Sequence, residues 1–502
     1  MKPHIKAYFC FFLVLVLVGA GLSIGPIITG RAVAFAEEEV EVLTRGPIHE
    51  AFAETVEFDS EEGVTVQKAP PKPIEESPPD QMPEGEDVQW IPGYWAWDDE
   101  MNDYIWVSGL WRVPPPDREW VPGYWARTSE GYQWVSGYWA KADGHETEYL
   151  PEPPVTVESG PNIYAPSSEY GWIPGCWIWS RGHYLWRPGL WARMHTDWVW
   201  VPSHYKWTPR GYVFVGGYWD YLVPRRGVLF APVYFGIHIH KRHRFRYSPV
   251  MVINLDLFFG SLFLRPRYNH YYFGDYYDVR YYRKGFFPWF SPHARRHYYD
   301  PIYTHQRWKY RHNPDWERRI KEDYRHRRDH IEARPSRKLQ KMTEIRSRGW
   351  KTRDGREIIA KPLHDVSKNK DTSWRFKRVD NNHRKHIDRQ KKDLSRYLKK
   401  RDDREVPKRA KKGETIYRTA EPARIKALTS PIRSKPRSQF RDKDIPPQRY
   451  KAPRVDPNVQ PLKRRPQDKS RYELDQGRRM DDQQKPGARK EMKPSNRGRS
   501  SF

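Results

Sequence analysis

A tandem aromatic motif constrains this chain more than any other feature. Two of its eight copies are degenerate and start at Trp200 and Phe214. Neighbouring copies are 14 residues apart, or 16 in the first pair, and a longer step holds a Pro-rich insert at 150–168. Repeats this short are single supersecondary units that must stack to bury a core. The six intact copies read W-x-x-G-x-W and start at Trp90, Trp106, Trp120, Trp134, Trp172 and Trp186.

The copies alternate in type, so the repeating unit is a pair. The first copy of each pair reads W-[IV]-P-[GS], and the second is preceded by tyrosine two residues earlier, as Tyr132 precedes Trp134. Between the two copies lie turn-like stretches with glycine near the end, such as 128–131 and 180–183. Short Gly-containing loops between aromatic and β-branched runs are typical of β-hairpins. The sequence therefore predicts four tandem hairpins.

The near-palindromic motif also predicts the strand register. If Ser129 and Glu130 form a hairpin tip, cross-strand partners in that unit have numbers that sum to 259. Directly opposed aromatic rings contribute about 0.2–1 kcal/mol beyond a small-residue pair. The same symmetry predicts the pairs Trp90–Trp111, Trp95–Trp106, Trp120–Trp139, Trp125–Trp134, Trp172–Trp191, Trp177–Trp186, Trp200–Trp219 and Tyr205–Phe214.

The five-residue spacing between tryptophans does not determine which face of the sheet each tryptophan occupies. In a regular strand, residues five apart point to opposite faces. Each hairpin therefore shows one Trp pair on each face, or a bulge near the central glycine brings both pairs to one face. Both arrangements agree with the sequence.

The rest of the chain divides by composition. We expect a mainly β protein in which the meander-like repeat domain is followed by an aromatic β segment that covers its edge, one short helix and a long disordered basic tail. The predicted helix spans 314–333, after Asn313 and before Pro335. The predicted regions are a signal peptide at 1–36, an acidic Pro-rich linker at 37–87, the repeat domain at 88–222, the β segment at 223–300, the helical segment at 301–335 and the tail at 336–502.

Export is predicted from the N-terminus. Lys2 and Lys6 precede an apolar run, and small-x-small patterns follow at 32–34 and 34–36, which is the layout of a cleaved secretory signal peptide. An uncleaved anchor is the alternative, since the run could span a membrane with some tilt. We expect the protein in the periplasm, at the outer membrane or at the cell surface.

The motif resembles a known family. The stretches Trp120–Trp125 and Tyr132–Trp139 are similar to the YXWGXW (WXXGXW) repeats of exported bacterial proteins. The resemblance covers roughly residues 88–220. It implies an export signal and a repeat layout, and it carries over no catalytic residues. The degenerate copies at Trp200 and Phe214 depart from the pattern.

The tryptophans have a structural and a functional interpretation. Packing explains most of them, with glycine making room for neighbouring rings. Rings left exposed would form a platform that stacks on sugars of envelope polysaccharide or peptidoglycan. The candidate platform residues are Trp95, Trp106, Trp125, Trp134, Trp177 and Trp186.

No catalytic motif, metal set or cofactor fingerprint is recognisable, so we predict no enzymatic activity, no metal and no cofactor. The net charge of +27 is concentrated in the tail. We expect the tail to attach electrostatically to an anionic membrane surface or to lipopolysaccharide, and export disfavours nucleic acid.

Three functions follow from these observations. The first is an exported envelope or surface protein that scaffolds or binds carbohydrate through the repeats. The second is a structural self-assembly protein of the cell envelope, in which repeats stack between molecules. The third is a polyanion- or nucleic-acid-binding protein that acts through the basic tail.

Overall fold

The fold is mainly β, as the repeat pattern predicts. The computed structural model describes residues 40–236, 239, 242, 245–255, 257–291, 298–337, 339, 359–369, 372–406, 422–435, 456, 458 and 459. The predicted signal peptide at 1–36 lies outside the described residues.

The segment before the repeats is packed against them, which corrects the prediction of a linker at 37–87. Ile48, Ala51 and Phe52 are at most 1% exposed, because the backbone here runs between the repeats and the later aromatic segment. All six of its short strands pair with strands elsewhere in the chain. They are β1 (Val40–Val42), β2 (Gly46–Pro47), β3 (Val56–Glu57), β4 (Thr65–Val66), β5 (Glu75–Glu76) and β6 (Gln81–Pro83).

The repeats form four antiparallel hairpins, which we call units 1 to 4. Each unit has an inner ladder beside its turn and an outer ladder beyond the motif glycines. Unit 1 comprises β7 (Gln89–Ile91), β8 (Tyr94–Asp98), β9 (Asp103–Val107) and β10 (Leu110–Arg112), and unit 2 comprises β11 (Arg118–Val121), β12 (Tyr124–Thr128), β13 (Gly131–Val135) and β14 (Tyr138–Lys141). After β15 (Glu146–Leu150), unit 3 comprises β16 (Tyr170–Ile173), β17 (Cys176–Ser180), β18 (His183–Arg187) and β19 (Leu190–Arg193), and unit 4 comprises β20 (Trp198–Val201), β21 (His204–Thr208), β22 (Gly211–Val215) and β23 (Tyr218–Tyr221).

The predicted register is confirmed in every unit. All eight aromatic pairs are direct cross-strand partners, including Tyr205–Phe214 in the degenerate unit. Their ring centroids are 5.0 Å apart in Trp200–Trp219 and 5.4 Å apart in Trp125–Trp134. The pairs are edge-on or tilted, which is the geometry that aromatic quadrupoles favour.

An interruption of the strands at the motif glycines determines on which face the two Trp pairs lie. In unit 1, Pro92-Gly93 and Ser108-Gly109 lie between the two ladders and belong to neither. Trp95 of the inner ladder and Trp111 of the outer ladder both donate their indole N–H to one segment, residues 72–81. The break therefore brings both Trp pairs to the side on which that segment runs.

The four units do not share one continuous sheet, so the repeat domain is not a simple meander. The segment after unit 4 covers repeat edges, as expected: β24 pairs with Trp111 and β25 with Trp106. It contains β24 (Gly227–Val228), β25 (Val233–Phe235), β26 (Arg246–Tyr247), β27 (Met251–Ile253), β28 (Leu262–Arg265), β29 (His270–Phe273), α1 (Val279–Arg283), β30 (Phe287–Pro288) and β31 (Tyr298–Tyr299), with 3-10 turns at Val223–Arg225, Phe259–Ser261 and Pro266–Tyr268.

More helix is present than the single helix predicted. The expected helix at 314–333 is observed as α3 (Trp316–Asp329), followed by a 3-10 turn at Ile331–Ala333. It is preceded by α2 (Pro301–Lys309), which Asp300 caps by accepting a hydrogen bond from the Tyr303 N–H.

Described parts of the region 336–502 are also folded, which corrects the prediction of a disordered tail for those parts. Ile387, Leu394 and Tyr397 lie on one face of α5 and are buried because that face packs on the repeats and the early strands. The region contains β32 (Ala360–Pro362), α4 (Leu363–Lys368), β33 (Phe376–Arg378), α5 (Asn381–Glu405) and β34 (Ala423–Lys426). Sparse apolar residues at helical spacing were enough to dock this helix.

A shared core joins units 1, 2 and 4. Arg112 of unit 1 and Asp220 of unit 4 form a buried ion pair at 2.6 Å, and the Arg112 Nε–H donates to the Ala51 carbonyl. Among the described residues, no helix is both long and apolar enough to cross a membrane.

Candidate functional site: carboxylate sockets of the repeats

The motif glycines make room for tryptophan rings across the hairpin. In unit 1, a Cβ on Gly109 would lie 2.6 Å from the Trp90 ring, and a Cβ on Gly93 would lie 2.7 Å from the Trp106 indole nitrogen. Each tryptophan therefore covers the glycine of the opposite copy. The same reciprocal cover joins Trp120 to Gly137, Trp134 to Gly123, Trp172 to Gly189 and Trp186 to Gly175.

This arrangement gathers N–H donors around one point, and in unit 1 a buried carboxylate occupies it. Glu76 Oε2 accepts from the Gly93 N–H at 2.7 Å, and Oε1 accepts from the Gly109 N–H at 2.9 Å and the Trp106 indole at 3.0 Å. We call a motif-glycine N–H and a motif-Trp indole N–H that bind one carboxylate a carboxylate socket.

Electrostatics in this socket oppose one another. Burial raises the pKa of Glu76, whereas the three N–H donors and the nearby Lys391 ammonium lower it. All three donors are N–H groups that require acceptors, and hydrogen bonds to an ionised acceptor are stronger than neutral ones. Burial outweighs these groups, so the pKa of Glu76 lies above its usual value.

Unit 2 has a second socket, filled by Glu50. Its Oε1 accepts from the Trp134 indole at 3.0 Å and its Oε2 from the Gly137 N–H at 2.8 Å. The His270 ring lies 3.8 Å away, and burial lowers its pKa. Glu50 is 1% exposed, so these donors replace its water shell.

Unit 3 has a third and more open socket, filled by half-buried Glu158. Here Oε1 accepts from the Trp172 indole at 3.1 Å and Oε2 from the Gly175 N–H at 2.5 Å. The indole donor comes from the first copy of the pair rather than the second. The near-palindrome explains this, because either tryptophan lies beside the socket.

In the part of the chain that the structure describes, no carboxylate binds the motif donors of unit 4, and this unit shows why the motif is needed. Ser203 replaces one motif glycine and Phe214 replaces the second tryptophan, which removes its indole donor. The Ser203 hydroxyl accepts from the Gly217 N–H at 3.0 Å and from the Arg187 guanidinium at 3.1 Å. A side chain of the unit itself therefore takes the place that glutamate has elsewhere.

The glutamates are delivered by segments outside the hairpins, which we call straps. Strap 1 (residues 72–81) accepts the Trp95 indole at Lys72 O and the Trp111 indole at Gln81 O, both at 3.1 Å. Strap 3 (residues 155–163) repeats the pattern with Trp177 and Trp191. In unit 2, Ala51 O beside Glu50 accepts the Trp139 indole at 3.2 Å, so residues 49–51 form strap 2.

The predicted platform residues are mostly buried by this packing. Trp95, Trp106, Trp134, Trp177 and Trp186 are between 2% and 6% exposed. Trp125 is half-buried and donates its indole N–H to the Trp95 carbonyl at 2.9 Å. Five of the six rings therefore have no open face for a sugar, and packing with strap binding explains them.

Sequence reasoning missed the socket glutamates. Straps 1 and 3 share a local signal: Glu76-Ser77-Pro78 and Glu158-Ser159-Gly160-Pro161 each follow a short β-branched or proline-containing run. That recurrence beside a repeat could have indicated the sites. In the described part of the chain, no group of three or more His, Cys, Asp or Glu side chains could hold a metal ion.

Fold and sockets define a class of protein, a tandem β-hairpin repeat domain in which tryptophans and glycines bind carboxylates. The family comparison agrees with the repeat layout. The model of the WXXGXW repeat (2 copies) matches residues 89–112, 120–140, 169–192 and 196–220, so this region consists of WXXGXW repeats, one pair in each unit. No curated protein matches the chain, and no solved structure matches it.

Proposed function

We propose that this protein is a non-enzymatic, exported scaffold in which three repeat units hold acidic segments from outside the hairpins. The observation that carries the proposal is the recurrence of the socket: three units bind a glutamate from a strap. Hydrogen bonds to a buried charged acceptor contribute about 1.5–3 kcal/mol each. Each of these three units thereby ties a stretch of chain from outside the repeat to a hairpin.

Export and an envelope location are part of this proposal and rest on the leader-like residues 1–36. The test is fractionation of cells that express the full chain with a C-terminal tag. We expect the protein in the envelope fraction, shortened by the leader. Recovery at full length in the cytosol would overturn the export part.

Carbohydrate binding by the repeats is less well supported than scaffolding, because five of the six candidate rings are buried. Self-assembly through stacking of repeats between molecules remains the alternative scaffold. A monomeric scaffold and a self-assembling one differ in the mass of the particle in solution. Sedimentation of the full chain at several concentrations is expected to give a monomer, and a concentration-dependent oligomer would favour assembly.

A second candidate function is attachment to a polyanionic surface, and α5 favours it. Its exposed side carries basic side chains at alternating steps of four and three, which is one helical face. At ~1.5 Å per residue the stripe is about 21 Å long. These side chains, which we call the basic stripe, are Lys385, Arg389, Lys392, Arg396 and Lys399.

A further inference from the structure

A cavity of about 320 Å³ lies away from the carboxylate sockets. It is enclosed by α2, α3, the 3-10 turn at Phe259–Ser261 and the turn that follows unit 4. Ligand pockets in proteins span about 300–1,000 Å³. This cavity is therefore large enough for one small ring or two.

Six of the seventeen residues that line the cavity are aromatic. Tyr310 and Trp316 are stacked with centroids 5.3 Å apart and planes at 11°, and Tyr310 is 38% exposed. Trp289 meets Trp316 edge-on at 6.4 Å, deeper in the cavity. Flat rings at the mouth and in the depth suit a ligand that has an apolar face.

Polar groups line the same cavity. Buried His305 donates its Nε2–H to the His195 carbonyl at 3.0 Å, and burial lowers its pKa to about 4. The ring is therefore neutral and its Nδ1 is an acceptor, for which the described residues supply no partner.

Three further polar side chains, Gln306, Lys309 and Asp323, also line the cavity. Within the described ranges, neither Lys309 nor Asp323 has an ion-pair partner; Lys309 instead lies 5.6 Å from the centroid of the Tyr310 ring. The lining thus offers an ammonium donor, a carboxylate acceptor and an amide that does both.

We propose that this cavity binds a pyranose ring of a carbohydrate. A pyranose presents a C–H face to aromatic rings and hydroxyl groups, each both donor and acceptor, at its edge. Lys309 and Asp323 are exposed and hydrated, so a purely apolar ligand that covered them would displace water without replacing its hydrogen bonds, which is costly. An anion would gain from Lys309 but would be repelled by Asp323. The inference goes beyond the scaffold function and places sugar binding outside the repeats.

The test is titration of the full chain with glucose, galactose, mannose and N-acetylglucosamine, followed by saturation-transfer NMR and calorimetry. We expect saturable binding of at least one sugar. Asp323→Asn keeps the side-chain volume and should weaken that binding at least tenfold, and Tyr310→Ala should weaken it similarly. Asp329→Asn is the matched control, since this aspartate on the same helix pairs with Arg328 outside the cavity lining.

Three outcomes would contradict the proposal of a pyranose site. If none of the four sugars binds to the folded chain, or if binding is the same in wild type, Asp323→Asn and Tyr310→Ala, the inference is wrong. Tighter binding of phenylalanine, an aromatic zwitterion, than of any sugar would also overturn the pyranose assignment. None of these outcomes bears on the sockets, whose loss would be measured as lower stability.

Discussion

At the scale of single residues, each position of the WXXGXW motif has a physical role. The first tryptophan of the motif covers the glycine of the opposite copy and can donate its indole N–H. The glycine leaves space for that ring and donates its backbone N–H. The role of tryptophan is therefore double, and phenylalanine supplies only half of it. Unit 4 shows two losses together: Phe214 removes an indole N–H donor, and Ser203 replaces a motif glycine.

Removing a socket carboxylate should destabilise the fold. Glu76→Ala leaves three N–H donors without their acceptor, of which the Trp106 and Gly109 donors are buried, and we expect a loss of about 2–4 kcal/mol in the free energy of unfolding. Urea denaturation followed by tryptophan fluorescence measures it. Glu75→Ala is the control. Glu75 is the exposed neighbour of Glu76, and it forms an ion pair with exposed Arg246. Equal effects of the two variants would argue against the socket.

Adding a methyl group to a motif glycine should also destabilise. In Gly109→Ala the new Cβ would lie 2.6 Å from the Ile91 carbonyl oxygen and from the Trp90 ring, so we expect a cost of about 1–3 kcal/mol. Thermal denaturation provides the readout. Gly144→Ala, whose Cβ would meet only the Lys141 carbonyl at 3.2 Å, should leave the midpoint nearly unchanged. A fully tolerated Gly109→Ala would mean that the two copies do not interlock.

The single described cysteine should be unreactive in the native state. Burial raises the pKa of the Cys176 thiol to about 12, so thiolate, the reactive form, is scarce below that pH. We expect slow alkylation by iodoacetamide at pH 8 in buffer and fast alkylation in urea. A native rate equal to that of the unfolded chain would place the thiol at the surface.

At the scale of elements, hairpins were predictable and straps were not. The palindrome and the Gly-containing turns specify the register without knowledge of the rest of the fold, since cross-strand pairs are local. The straps depend on contacts 14 to 88 residues away, from Glu158 with Trp172 to Ala51 with Trp139. An acidic, Pro-rich composition is that of an extended linker, and composition does not distinguish a solvated glutamate from one that a hairpin binds.

Limited proteolysis should separate packed from open glutamates in the segment before the repeats. A glutamyl endopeptidase should cut first at exposed Glu61, Glu62 and Glu84, because cleavage requires accessible backbone. Buried Glu50 and Glu76 should resist until the protein unfolds. Mass spectrometry of early fragments shows the order. Early cleavage after Glu76 would restore the linker interpretation.

At the scale of the whole molecule, the repeats, the early strands and α5 share one core, so distant regions depend on each other. Arg401 of α5 is 2% exposed and pairs with Glu405, which accepts hydrogen bonds from Tyr124 of unit 2 and Tyr149. A basic, polar sequence gave no indication of this docking, because few apolar residues carry it. The basic residues that led to the prediction of a disordered tail lie, in α5, on the exposed face of a packed helix.

The basic stripe should bind anionic surfaces in a salt-dependent manner. Reversing Arg389 and Lys392 to glutamate should reduce co-sedimentation with vesicles containing 30% phosphatidylglycerol in phosphatidylcholine, and moderate salt should weaken wild-type binding. Lys141→Glu, an exposed charge reversal on unit 2, is the control. Unchanged binding after the double reversal would exclude the stripe, and binding to single-stranded DNA alone would favour a nucleic-acid partner.

The most direct test of the central claim, that repeat tryptophans hold strap carboxylates, is a double-mutant cycle between Glu76 and Trp106. Trp106→Phe keeps an aromatic ring and removes the indole N–H, as Phe214 does in unit 4. Unfolding free energies of the wild type, Glu76→Ala, Trp106→Phe and the double variant give the coupling energy. We predict a coupling of about 1–3 kcal/mol. Additive effects, within about 0.5 kcal/mol, would contradict the account.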